Sequence, residues 1–136
     1  MKVLNHIIDK TDAKIVISST WRKGRTLEQL REIFTKVGFT GEIIDKTPSL
    51  FYSEKSGCTN SVPRGCEIEE WMRSKYGYLE SVNIKYVILD DDSDMLLSQR
   101  ENYFRVDGYC GITPNLAYRV INFLNRYDSA KLPYDN

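Results

Sequence analysis

Apolar positions along the chain alternate between helical and strand spacing, and the switches predict its elements. Val3, Leu4, Ile7 and Ile8 recur at helical spacing, so residues 2 to about 10 read as an amphipathic helix. Lys14-Ile-Val-Ile-Ser18 is a short β-branched run, the pattern of a strand covered on both faces in a parallel sheet. A polar stretch, Ser19-Thr-Trp-Arg-Lys-Gly-Arg25, follows. Thr26 then opens a second helix, with Gln29 three residues on as its capping-box partner. Leu27, Leu30, Ile33, Phe34 and Val37 form its apolar stripe, and Gly38 ends it. Gly41-Glu-Ile-Ile-Asp45 reads as a second strand. Residues 46–63 hold Pro48, Gly57, Pro63 and several serines and read as one long irregular loop, a length usually functional or mobile in a compact domain.

Arg64 to about Tyr76 is the next helix, with Ile68, Trp71 and Met72 turned inward. Ile84-Lys-Tyr-Val-Ile-Leu89 is the strongest strand pattern and runs straight into Asp90-Asp-Asp-Ser-Asp94. A short helix is expected over Met95 to Gln99 and a strand over Tyr103 to Val106. Thr113 caps a last helix with Pro114 at its first position, and Ala117, Val120, Ile121 and Leu124 carry its stripe to about Arg126. Lys131 to Asn136 read as a frayed tail. Strands alternating with helices at these lengths form βαβ units, hence an α/β domain whose parallel sheet has helices on both faces. Ligands of such sheets sit beyond the carboxyl ends of the strands.

Composition narrows the function classes. A chain of 136 residues suits one domain. Its net charge of zero provides no global field to gather nucleic acid or an anionic membrane. The basic residues Arg22, Lys23, Arg25, Arg31 and Lys36 are diluted by Glu28 and Glu32, so a solvated helix face is the plainer reading of that stretch. Three cysteines (Cys58, Cys66, Cys110) without CxxC spacing, beside one histidine, argue against zinc and read as free thiols in a reducing cytoplasm. The first residues lack the apolar core of a signal peptide, and apolar runs stop far short of the ~20 residues that span a bilayer.

Three constellations carry candidate chemistry. Asp90, Asp91, Asp92 and Asp94 crowd like charges after a buried strand, which invites a cation such as Mg²⁺; the alternative is capping of the following helix, a role one or two of them would fill. Ser18, Ser19 and Thr20 end the first strand, with Arg22 close by, a set that can hold phosphate oxygens or form an ordinary polar turn. Arg64, at the mouth of a helix, can reach a phosphate or neutralise the aspartates, and otherwise is a surface arginine.

Taken in order, these elements resemble the haloacid-dehalogenase-like (HAD) phosphatase superfamily. Ile15-Val-Ile-Ser18 resembles its second motif, Arg64 its third, and Tyr86-Val-Ile-Leu-Asp90-Asp91 its fourth. Ser-Ser-Thr-Trp-Arg, Pro-Arg-Gly-Cys-Glu-Ile-Glu-Glu-Trp, Ile-Leu-Asp-Asp-Asp-Ser-Asp-Met, Asp107 and Gly111-Ile-Thr are similar to the HAD domains of RNA-repair proteins and, at greater distance, to the phosphatase domain of polynucleotide kinase-phosphatase. The resemblance covers residues 1–127 as a single Rossmann-like domain, with 46–63 as a long loop or minimal lid and 128–136 as a tail. It implies a cytoplasmic, Mg²⁺-dependent phosphohydrolase acting on a phosphomonoester, of a nucleotide or a nucleic-acid end. Ser18, with Ser19 as the fallback, would bond the phosphoryl oxygen; Arg64 would stabilise its negative charge, as Arg22 could by the residue reading above; Asp90 and Asp91 would hold the metal, and Asp94 would support them.

One part of the family pattern is missing. The family begins with a central strand ending in Asp-x-Asp, whose first Asp is the nucleophile and whose second is the general acid and base. Asp9-Lys-Thr-Asp12 has the wrong spacing and follows a helix. The expectation is therefore a HAD fold without its N-terminal central strand and without turnover. Its sheet would be completed by an upstream segment, by direct pairing of the strands ending at Ser18 and Asp90, or by a strand exchanged in a homodimer. The rival expectation is a non-catalytic phosphate- or protein-binding module. A receiver-like signalling domain is disfavoured, since no middle strand ends in a phospho-accepting Asp and no lysine ends the last strand.

Overall fold

The computed structural model describes residues 1–19, 22–53, 59–81 and 84–131, with backbone alone at 51–53, 59–61, 78–81 and 126–131. The elements run α1 (Lys2–Thr11), β1 (Ile15–Ile17), α2 (Leu27–Lys36), β2 (Ile43–Lys46), β3 (Phe51–Ser53), β4 (Thr59–Ser61), α3 (Arg64–Ser81), β5 (Ile88–Asp90), a 3₁₀ turn (Leu97–Gln99), β6 (Tyr103–Arg105) and α4 (Pro114–Lys131).

Local chemistry sets the helix ends. Asp12 takes a left-handed conformation (φ 56°) and its N–H bonds to the Ile8 carbonyl, closing α1. The Thr26 hydroxyl accepts from the Gln29 N–H at 3.1 Å while the Gln29 amide oxygen accepts from the Thr26 N–H at 2.8 Å, the reciprocal cap that starts α2. The Thr113 hydroxyl accepts from the Leu116 N–H and so caps α4. Gly77 in α3 sits at φ 75°, ψ 176°, so the helical path breaks next to the expected end at Tyr76 and a second helical stretch continues to Ser81.

β1 pairs with β2 in parallel, and β5 pairs with β6 in parallel. Among the described residues these ladders form separate two-stranded sheets, so β1 and β5 do not pair with each other. That overturns direct pairing as the way the sheet is completed. Helices pack against both pairs. On one side, α1 packs Ile7 and Val3 against α4 and the β5–β6 pair (Phe104, Leu89, Val106). The same helix packs Leu4 and Ile8 against Ile17, Leu30 and Ile43 of the β1–β2 pair and α2. From the other side, α3 lays Ile68 and Met72 on Ile88 and Tyr103. α3 also reaches the β1–β2 pair, where the Trp71 indole N–H donates to Asp45 at 2.8 Å and Lys75 lies 3.4 Å from the same carboxylate. These bonds outweigh the cost of partial burial and hold the Asp45 carboxyl below its ordinary pKa.

Three sequence expectations change. The 46–63 stretch is not wholly irregular: β3 and β4 form an antiparallel pair with Phe51 opposite Ser61, and its tip lies outside the described residues. β5 begins at Ile88 rather than Ile84, because its ladder extends only where β6 supplies a partner, Tyr103 to Arg105. α4 runs to Lys131, past the expected end at Arg126. The tail beyond it falls outside the described residues.

Candidate phosphate and metal site

The site gathers at the carboxyl ends of β1 and β5 and at the first turn of α3. The ends of β1 and β2 are organised by Arg22, which is only 3% exposed. Its Nε donates to the Thr47 carbonyl at 3.0 Å, and Nη1 donates to the carbonyls of Ser18 (2.7 Å) and Ser19 (2.8 Å). Nη2 donates to the Pro48 carbonyl at 3.2 Å and to Glu67 Oε1 at 2.6 Å. All five guanidinium N–H groups are thus engaged within the fold. The expectation that Arg22 would grip phosphate therefore gives way to a structural role, in which it ties the loops after β1 and β2 to α3. Glu67, buried in turn, accepts from the Leu50 N–H at 2.8 Å with its second oxygen. Ser18 is half-buried at the end of β1, and Ser19 is exposed.

Arg64 stands at the first position of α3, three residues before Glu67. Its Nη1 donates to Asp90 Oδ2 at 2.5 Å, and the exposures of the two side chains, 16% and 6%, mark an ion pair largely withdrawn from water. Burial works against the Arg64 charge, but the bond to Asp90 and the fields of Asp90, Asp94 and Asp92 outweigh it and raise the guanidinium above its ordinary pKa. The turn after β5 is wound around the same charges. Asp90 Oδ1 accepts from the Asp92 N–H, and Asp94 Oδ2 accepts from the Arg64 N–H at 2.8 Å. The other Asp94 oxygen, Oδ1, is buried without a partner. Tyr103 on β6 donates its hydroxyl to the carbonyls of Asp90 and Asp92. Burial first, then Asp90, pushes that phenol up, so it stays a donor.

Close approach of α3 to this turn depends on Gly65. A Cβ there would lie 2.6 Å from the Leu96 backbone nitrogen and 2.9 Å from the Met95 Cα. The buried Gln99 locks the contact, donating to the Gly65 carbonyl and accepting from the Leu96 N–H. Beyond β6, Asp107 Oδ1 accepts from the N–H groups of Tyr109 (2.7 Å) and Cys110 (2.9 Å), and these bonds hold the Asp107 carboxyl below its usual range.

The structure therefore joins Arg64, Asp90 and Asp94 directly, and links the Ser18–Ser19 loop to the same helix through Arg22 and Glu67. Asp91 is exposed beside them. Sequence reasoning missed Glu67 and Gly65. Glu67 shares the inward face of α3 with Ile68 and Trp71, and a lone acid on an apolar face was the available signal. Among the described residues, no three His, Cys, Asp or Glu side chains come together as a ready ligand set for a metal. Cys66 and Cys110 are free thiols, and Cys58 lies outside the described residues. No described helix is long and apolar enough to cross a membrane.

Parallel strands between packed helices, with a buried Arg–Asp pair and a hydroxyl loop at their carboxyl ends, define an α/β domain that gathers its polar chemistry beyond the strand ends. The chain matches the family described as the HAD domain in Swiss Army Knife RNA repair proteins over residues 1–117, and it belongs to that family. Neither the curated proteins nor the solved structures yielded a match.

Proposed function

We propose that this chain provides the phosphate-holding and metal-holding part of a HAD-type phosphohydrolase site, acting on a phosphomonoester of a nucleotide or nucleic-acid end. The observation that carries the reading is the Arg64–Asp90 pair, fixed at a parallel strand's carboxyl end and backed by Asp94 and Tyr103. In this reading Ser18 donates its hydroxyl to a phosphoryl oxygen, with Ser19 as the alternative donor. Arg64 neutralises charge on the phosphoryl group. Asp90 and Asp91 hold Mg²⁺. Two carboxylates are an ordinary protein share for that ion, which keeps waters and substrate phosphate as its other ligands, and the unpartnered Asp94 Oδ1 leaves an acceptor for such a water. When bound, the metal supplies Lewis-acid stabilisation of the phosphoryl oxygens.

In this reading the nucleophile comes from a further strand. In a parallel ladder, alternate residues bond to the same neighbour. The Ile15 N–H and Ile17 carbonyl bond toward β2, and the Ile88 N–H and Asp90 carbonyl toward β6. Val16 and Leu89 therefore turn their N–H and C=O groups to the opposite edges. Those two edges then take one strand between them, ending in Asp-x-Asp and supplied from outside residues 1–136. The Rossmann-like sheet is then continuous.

Calorimetric titration of the chain with inorganic phosphate in the presence of Mg²⁺ is expected to show binding that Asp90→Asn and Arg64→Ala each weaken at least tenfold. The same chain is expected not to hydrolyse p-nitrophenyl phosphate. Loss of all phosphate binding would refute the site. Turnover abolished by Asp90→Asn would refute the need for an added nucleophile. Binding that persists without turnover, even once an Asp-x-Asp strand is joined to the chain, would favour a non-catalytic phosphate-binding module.

A further inference from the structure

Tyr109 is fully exposed, at 102% of its reference area, yet the turn that bears it is closed by its own backbone hydrogen bonds. Asp107 accepts from the backbone of both Tyr109 and Cys110. The Gly111 N–H returns to the Asp107 carbonyl at 2.8 Å, making a bridge between the two residues. Gly111 supplies the left-handed conformation (φ +67°) that closes the turn. The turn also abuts the site, since a Cβ built on Gly108 would lie 3.7 Å from a carboxylate oxygen of Asp91. A large aromatic ring in water on a fixed turn, one residue from the carboxylate edge of a phosphate site, is arranged to meet a flat ligand from outside. Tyr118 shows the contrast: it is also exposed, but it projects from the second turn of α4, a helix whose inward side fills the core.

We propose that Tyr109 is a base-stacking residue, so that the site takes a terminal phosphate carried by a nucleotide whose base is unpaired, and not small phosphate esters in general. This rests on the phosphate-site reading above and names its substrate class. Stacking on an aromatic face is tolerant of base identity, so the preference is for a single-stranded end and not for a sequence. The bonds from Asp107 hold the backbone that bears the ring before the ligand arrives, which lowers the ordering cost of binding.

The test is fluorescence anisotropy with a labelled single-stranded RNA oligonucleotide in Mg²⁺, phosphorylated at its 5′ or its 3′ end in parallel arms. Inorganic phosphate serves as the second ligand, measured by calorimetry. Tyr109→Ala is expected to weaken oligonucleotide binding roughly 5- to 100-fold, the range for loss of one stacked base. Tyr109→Phe and Tyr118→Ala are expected to bind as the unaltered chain does, and all three variants to hold inorganic phosphate unchanged. Replacing the terminal nucleotide by an abasic one should cost the unaltered chain the same factor and Tyr109→Ala nothing more. Tyr109→Ala that binds the oligonucleotide normally, or loses oligonucleotide and phosphate together, would overturn the inference alone. An unaltered chain that binds neither ligand would overturn the phosphate-site reading and this inference with it.

Discussion

Arg22 shows how much a single side chain organises here. Its guanidinium joins the loop after β1, the loop after β2 and the first turn of α3 at once. Four backbone carbonyls and Glu67 depend on it. With the two side chains only 2% and 7% exposed, neither member of the pair can turn to water when the other is lost. Arg22→Met is therefore expected to destabilise the chain by about 3–5 kcal/mol, read as a shift in the urea midpoint. Arg22→Met combined with Glu67→Leu is expected to recover part of that loss, because it removes the stranded charge. An additive double variant would show that the pair is not coupled. The residue type was visible in the sequence, where arginine beside two serines suggested phosphate. Its structural role was not, because the partner lies 45 positions away and no local pattern signals it.

At the scale of elements, α3 is the part on which the site's geometry depends. It carries Arg64 toward Asp90, Glu67 toward Arg22 and Trp71 toward Asp45, so its seating fixes the distance between the two strand pairs. The seat is the contact of Gly65 with residues 95 and 96, where a methyl group has no room against backbone atoms. Gly65→Ala is expected to cost about 1–3 kcal/mol through overpacking, despite the better helix propensity of alanine. It is also expected to weaken phosphate binding together with stability, both read on one purified variant by thermal melting and calorimetry. A gain in melting temperature would show that the helix end is not tightly seated. Element existence was largely legible: the stripes of α1, α2 and α4 and the runs ending at Ser18 and Asp90 all form what their spacing predicts. Their ends were less so, since β5 extends only as far as β6 supplies hydrogen-bonding partners.

For the molecule as a whole, the deciding feature is the pair of strand edges at Val16 and Leu89. Amide exchange measured by NMR reads them directly. The N–H groups of Ile15 and Ile88, bonded to Glu42 and Asn102, are expected to exchange slowly. Those of Val16 and Leu89 are expected to exchange faster in the dilute chain, and to become protected once a strand is seated between them. Protection that rises with protein concentration would identify a second copy as the donor. Protection that is full in a dilute monomer would refute open edges altogether.

The sequence by itself determined the order and type of the main elements and the chemistry available at the strand ends. Those follow from periodicity and residue type, which are local. It also carried the membership of residues 1–117 in the HAD family, because such a match rests on order along the chain. Tertiary structure decided which of these groups meet. It paired Arg64 with Asp90 and Asp94, turned Arg22 inward to Glu67, set Tyr109 on a fixed turn beside Asp91, and kept β1 and β5 in separate ladders. The pairings of Arg64 and Arg22 depend on burial and on partners distant in sequence, which no local pattern signals.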